Sequence, residues 1–493
     1  MLFMVVVHLR ITFSPFSSRY IGSTLSEKGV PGSASYVSSK HAIAGLMKVT
    51  CQDLKYGIMR TYNDDILDGG TTYAHDLLAN PTDFKGPYTT PKKDLTSVTC
   101  GTNSIKFVLQ QAVPYFPYVT TFGAFSPVPK AKDTKQNYDL HPMATGPYKV
   151  ASYNRGKQMT LVRNKYWVAS TDPLRHNFPD KIVVKFGYEQ NALEQQLVAD
   201  SGDAKTGLSL DTQIITNIAT VAGNAKYKSR FFAFNSPYAR YLAINMDTVK
   251  DLNVRKAIQC AIDLKTVLLA AGGSFAGAYA NSLIPSNVKP AYRNFPICGR
   301  DVHQTPEAQI DAAKALLAKS PDAKKDLILA YRDKGVEPQR AEAAQQALQA
   351  VGFNVTMQKL PKAGYYTAVG KRNVANEPDV IQTSWGFDWP AASGIVYALL
   401  DGRTMTAEDS HSNYSRANVP AIQTLFAKAD ATINTAAQEK LLGDIEQKLI
   451  QDDAAVMPTY IETSNFMAGS KLGGVQADGG YGTISPLYAF VKK

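Results

Sequence analysis

Cysteine and histidine are scarce in this chain, and both are dispersed. The four cysteines, Cys51, Cys100, Cys260 and Cys298, form no C-x-x-C, and the seven histidines form no H-E-x-x-H. Zinc centres and thioredoxin-like redox chemistry therefore have no foundation in the sequence. No metal and no cofactor is expected. Cys260 and Cys298 can pair in an exported chain, and two unpaired buried thiols fit the sequence equally well. Long apolar runs are also missing. Phe107–Pro129 is interrupted by Pro114 and Pro117, and Val267–Val288 contains three glycines and Pro285. A transmembrane helix needs about 20 mainly apolar residues, so none is predicted. The opening "MLFMVVVHLRITF" places its apolar run ahead of His8 and Arg10 and has no small-residue cleavage pattern or lipid-attachment cysteine. No export signal is read there, which as written points to the cytoplasm.

Charge excludes a further class. The net charge is +11, from 53 basic and 42 acidic residues, yet no basic run reaches four. Without a basic stripe or a named module, no nucleic-acid partner is expected. Paired catalytic carboxylates are absent too: Asp64–Asp65 precedes Gly69–Gly70 as a solvated turn, and Asp452–Asp453 ends a helix. No nucleophile–base pair stands out after residue 48, so an enzyme is not expected.

What is present is length and pattern. A chain of 493 residues accommodates two or three lobes of ordinary size. "SIKFVLQQ" (104–111) alternates as a strand, "TGPYKVASYNRGKQMTLVRNKYW" (145–167) reads as two strands around Asn154–Gly156, and "DKIVVKF" (180–186) as another, with a helix near Asn191–Ala199. Val254, Ile258 and Ile262 recur at helical spacing and predict one helix over 253–273, capped by Asn253 and ended by Gly272. Thr305 and Pro306 have the character of a helix start. Residues 326–359 then read strand, helix, strand, which implies a right-handed parallel crossover and an α/β sheet. A helix over 435–450 and a strand over 455–461 follow. Near the start, Val5–Val7 and Arg19–Gly22 have strand character, and Ser35–Lys48 reads as a helix.

In open parallel sheets ligands bind beyond the carboxyl ends of the strands. The strand 379–385 runs into "WGFDWP" (385–390), so Trp385, Phe387, Asp388 and Trp389 fall at such a position. Three aromatics around one acid suit an ammonium group, with cation–π attraction from the rings and a neutralising carboxylate. The alternative is a hydrophobic loop plug in which Asp388 caps a turn.

Two family resemblances are carried by the sequence. "STLSEKGVPGSASYVSSKHAIAGLMK" (23–48) resembles the active-site segment of short-chain dehydrogenases/reductases. That resemblance implies an orienting serine at Ser23, a proton-transferring tyrosine at Tyr36 and a pKa-lowering lysine at Lys40. Only 22 residues precede Ser23, and no G-x-G-x-x-G lies among them to cradle a dinucleotide. The three residues are therefore expected to be vestigial.

The second resemblance spans roughly Val49 to Lys493. "VTCQDLKYGIMRTYNDDILDGG", "AFSPVPKAK", "HPMATGPYKV", "LVRNKYW", "YLAINMDTVKDLNVRKAIQCAID" and "QTSWGFDWP" fall in the order found in family 5 extracellular solute-binding proteins of ABC transporters. This resemblance implies a two-lobed periplasmic-binding-protein-like α/β fold of the class C type. Its expected parts are lobe I over 49–240, lobe II over 241–458 and a return to lobe I over 459–493. It also implies a hinge closing on a peptide or similar small solute, delivery to permease and ATPase subunits, a monomeric state and an extracytoplasmic home. In peptide-binding relatives an aspartate at the position of Asp388 pairs with the ligand's α-amino group. The start of lobe I, including a sheet strand, is expected to be missing, with residues 1–48 a dehydrogenase-like fragment in its place. The alternatives are a dehydrogenase remnant, or a fused or truncated reading frame without function.

Overall fold

The computed structural model describes residues 5–9, 51–63, 73–79, 83–101, 104–210, 213–480 and 482–493. The expected helix over 35–48, the strand fragment at 19–22 and the Asp64–Asp65 turn lie outside these residues. The chain divides into two units, Met1–Phe232 with Phe466–Lys493, and Ala233–Asn465. The passages expected at 240/241 and 458/459 fall inside two long strands, Phe231–Ile244 and Val456–Met467, and the units divide within those same strands.

The first unit has a three-stranded antiparallel sheet in the order Val5–Leu9, Ser104–Leu109, Val98–Gly101. Val5 pairs with Leu109 and Leu9 with Ile105, so a strand from the opening residues forms one edge of this sheet. Ile105, Phe107 and Leu109 alternate into the interior, as the period of a strand requires. Phe107, Phe116 and Phe125 meet there edge to face, at centroid separations of 5.2, 5.9 and 6.2 Å. Helix Cys51–Arg60 is tied to Val98–Gly101 by a Cys51–Cys100 disulfide that no spacing in the sequence announces. A second sheet runs Tyr148–Asn154, Gln158–Arg163, Lys181–Lys185, each strand antiparallel to the next. Its first reversal needs Gly156, whose φ of 73° is strained for residues with a side chain.

The second unit is built on a six-stranded sheet. In chain order its strands are β1 (Phe231–Ile244), β2 (Gly277–Tyr279), β3 (Asp326–Asp333), β4 (Asn354–Pro361), β5 (Val380–Gly386) and β6 (Val456–Met467). Their spatial order is β4-β3-β5-β1-β6-β2. Five of the helices packed with this sheet matter below: α1 (Leu252–Ala261), α2 (Leu264–Ala270), α3 (Ile310–Ala318), α4 (Glu337–Ala350) and α5 (Thr435–Gln451). The β3–α4–β4 crossover is parallel, pairing Asp326 with Asn354 through to Asp333 with Pro361. Ala341, Ala344 and Leu348 of α4 are buried, the small side chains allowing close approach of helix and sheet.

Two expectations about the helices are corrected here. The single helix expected over 253–273 is two helices, because Ile262 is extended and the Asp263 carboxylate caps α2, accepting from the Thr266 N–H at 2.7 Å. Asp251, not Asn253, caps α1, accepting from the Val254 N–H at 3.0 Å. The helix expected to begin at Thr305–Pro306 starts at Ile310. The Pro306 carbonyl is instead engaged by the Leu264 N–H at 2.9 Å, at the start of α2. Cys260 is disulfide-bonded to Cys298, resolving the choice the sequence left open.

Glu446 of α5 is fully buried and binds the 282–284 turn. It accepts from Ser282 Oγ at 2.8 Å and from the backbone N–H groups of Leu283 and Ile284 at 2.5 and 3.1 Å. Burial raises its pKa from 4.5 to about 7, although these donors and the nearby Arg293 guanidinium favour the charged form. Among the described residues no helix is long and apolar enough to cross a membrane. Nor does any group of three or more His, Cys, Asp or Glu side chains among them stand ready to hold a metal ion.

Two measurements follow. Replacing Cys260 and Cys298 with serine is expected to lower unfolding free energy in urea by roughly 2–4 kcal/mol, the usual worth of a loop-closing disulfide. For Glu446 the folded-state pKa lies above the unfolded one. Its stabilising contribution is therefore complete below pH 4.5 and is lost as pH rises through about 7. Between pH 5 and pH 8 the protein is expected to lose up to about 3 kcal/mol relative to Glu446→Gln. Parallel pH profiles of the two proteins would contradict this.

Candidate ligand-binding site

Strand β5 is paired along both edges. It runs parallel to β3, with Val380 opposite Leu329, and antiparallel to β1, with Gly386 opposite Tyr238. Val380 to Thr383 are buried, and exposure begins at Ser384 as the strand leaves the sheet. The loop that follows is at the carboxyl end of the parallel strands β3, β4 and β5.

All four residues singled out in "WGFDWP" are on this loop or at the strand end leading into it, and they divide into two pairs. Trp385 and Asp388 are half-buried. Phe387, at 9% exposure, joins the hydrophobic core, and Trp389, at 2%, is also interior. The expected socket of three rings around one acid is thus reduced on its aromatic side: of the three, only the Trp385 ring stays partly open. The loop folds back on itself. The Trp385 indole N–H donates to the Gly394 carbonyl at 3.2 Å, and the Asp388 backbone N–H points to the same oxygen at 3.4 Å. The Trp389 indole N–H donates to Ser393 Oγ at 3.0 Å. Gly394 is required because a Cβ there would lie 2.9 Å from the Trp389 carbonyl oxygen and 3.1 Å from its nitrogen.

A residue that the sequence reading did not single out lies against the end of this strand. Tyr238, on β1, is 40% exposed, and its ring covers Gly386, where a Cβ would come within 2.7 Å of it. Burial raises the Tyr238 pKa; the Glu462 carboxylate adds to this, Arg240 opposes it, and the Asp388 charge contributes last. No motif surrounds Tyr238; only the strand register brings it beside the loop.

A charged cluster joins β5 and β1 to their neighbours. Glu337, at the start of α4, accepts from Arg240 and Arg340 at 2.9 Å each and from the Gln382 amide of β5 at 2.8 Å. Arg240 also donates to Glu462 of β6 at 2.8 Å. Burial alone would raise the Glu337 pKa, but the guanidiniums of Arg340, Arg240 and Arg332 bring it below its ordinary value. The cluster ties α4 and strands β5, β1 and β6 together.

The family model for bacterial extracellular solute-binding proteins, family 5 Middle, matches residues 47–423. The chain belongs to this family. Among solved structures, the clavulanic acid biosynthesis oligopeptide binding protein 2 is similar at 24% identity and a TM-score of 0.83, with 90% of this chain and 81% of that one covered. The Escherichia coli murein tripeptide binding protein MppA is similar at 19% identity and a TM-score of 0.69, covering 91% and 85% of the respective chains. The periplasmic DppA of Helicobacter pylori, solved with the peptide STSA, is similar at 18% and 0.68, covering 90% and 82%. No curated protein sequence matches the chain. At these identities the solved structures establish the fold, that of the two-lobed periplasmic binding proteins. Nothing in the family match or the structural relatives supports a dehydrogenase segment, and Ser23, Tyr36 and Lys40 lie outside the described residues.

The crowding at Gly394 gives this family member a direct test. Gly394→Ala is expected to cost about 1–3 kcal/mol in denaturant unfolding, as overpacking does, and to shift tryptophan emission, since Trp385 and Trp389 both bond to this turn. Unchanged stability and emission would contradict the loop geometry.

Proposed function

We propose that this solute-binding protein captures short peptides or peptide-like solutes by their amino terminus and presents them to the permease and ATPase of an ABC importer. The observation that carries the reading is the half-buried Asp388 in the loop at the carboxyl end of the sheet, held by the same Gly394 carbonyl that receives the Trp385 indole. A ligand ammonium group there meets a carboxylate able to form charge-assisted hydrogen bonds, with the partly open Trp385 on the same loop. The murein tripeptide and peptide STSA named for the structural relatives fit the same ligand chemistry. Capture needs no bond to be made or broken. No enzymatic step is proposed. The disulfides Cys51–Cys100 and Cys260–Cys298 fit an oxidising, extracytoplasmic compartment, in keeping with the extracellular description of the family.

The test is a thermal-shift screen of short peptides against the full chain and its Asp388→Ala variant. A peptide present at about 100 times its Kd adds about 2.7 kcal/mol of stability, a readily measured shift. The shift is expected in the wild type and is expected to be largely lost in Asp388→Ala. No shift with any peptide, or equal shifts in the two proteins, would contradict the reading.

A further inference from the structure

The loop that carries Asp388 is held from outside by an acid on a distant helix. Glu439 of α5 is buried, and its carboxylate accepts from the backbone N–H groups of Ala392 and, at 3.2 Å, Ser393. The Ser393 hydroxyl also bonds to it, and that same hydroxyl oxygen accepts the Trp389 indole N–H. These contacts fix the Ala392–Gly394 turn, and the carbonyl that ends the turn receives the Trp385 indole and faces the Asp388 N–H. Glu439 is therefore two bonded links from each of the two half-buried residues of the site.

Helix α5 does not need this charge to pack. Leu442, Ile445, Leu449 and Ile450 are already fully buried against the core. Burying a carboxylate is costly, and here burial raises its pKa. A carboxylate kept there against that cost supplies what an apolar side chain cannot: acceptors for donors of one turn that would otherwise be buried unpaired.

We propose that Glu439 is the positioning residue of the ligand loop, setting the placement of Trp385 and Asp388 through the Ala392–Gly394 turn. This rests on the peptide-capture reading only where affinity is measured; the dependence of the loop on Glu439 is separable from it.

The experiment compares wild type, Glu439→Ala, Glu439→Gln and, as a control on the same helix, Glu446→Gln. Trp385 and Trp389 are two of the three tryptophans, so emission maximum and acrylamide quenching report on the loop without ligand. Affinity is measured by titration with the dipeptide Met-Leu and the tetrapeptide Ser-Thr-Ser-Ala. Glu439→Ala is expected to shift emission, increase quenching and weaken peptide affinity at least about tenfold, the effect of stranding buried donors. Glu439→Gln, which keeps one carbonyl acceptor, is expected to be intermediate, and Glu446→Gln to keep wild-type emission. Wild-type emission and affinity within twofold for Glu439→Ala would overturn the proposal, as would the same emission change in Glu446→Gln. Should Glu439→Ala fail to fold, Glu439→Gln decides by the same two readouts. A wild type that binds neither peptide counts against peptide capture, and the emission series still decides whether Glu439 sets the loop.

Discussion

Everything at the candidate site depends on β5 being hydrogen-bonded along both edges, parallel to β3 and antiparallel to β1. A strand paired on both sides cannot slip without breaking two ladders and reversing which side chains face the core. That constraint fixes the residue at which the chain leaves the sheet. It puts Trp385 at the edge of exposure, returns Phe387 to the core and leaves Asp388 between interior and solvent. It also brings Tyr238 over Gly386, since the register admits a ring only where the facing residue has no side chain.

Buried carboxylates do the remaining positioning, and they divide by the kind of partner they have. Glu337 faces three guanidiniums and is brought below its ordinary pKa. Glu439 and Glu446, both on α5, are met chiefly by backbone N–H groups and serine hydroxyls, and burial prevails in raising both. Neutral donors favour the charged form of a buried acid too, and at Glu194 they prevail, but at Glu439 and Glu446 they do not outweigh burial. The first kind of site makes a rigid junction between α4 and the sheet. The second pins the 282–284 and 392–394 turns to one helix, at the cost of a dependence on pH.

Much of the fold was legible because its signals are local. The alanine-rich α4 between two alternating strands, the strand 379–385 and the helix after Asn434 all follow from side-chain period, and each is present within a few residues of its expected bounds. What escaped depends on partners far away in the chain. The late start of α3 follows from the use of Pro306 at the start of α2, whereas the break between α1 and α2 is set by a local cap, Asp263, that the apolar spacing masked. The unit divisions lie inside continuous strands. At the site, Asp388 and Trp385 could be found because the loop directly follows a recognisable strand. Tyr238 and Glu439 could not, since neither register nor the landing place of α5 is written in the residues around them. The burial of Phe387 and Trp389 was hidden for the same reason: aromatic residues near a strand end suit a ligand wall and a core plug equally well.

The central claim is that a ligand's ammonium group is what Asp388 recognises. Calorimetric titration of the wild-type protein with its best-binding short peptide and with the N-acetylated form of that peptide tests it most directly. Acetylation removes the charge and changes little else, so affinity is expected to fall by about tenfold to a hundredfold, the worth of a charge-assisted hydrogen bond. Equal affinity for the two forms would contradict amino-terminal recognition at Asp388.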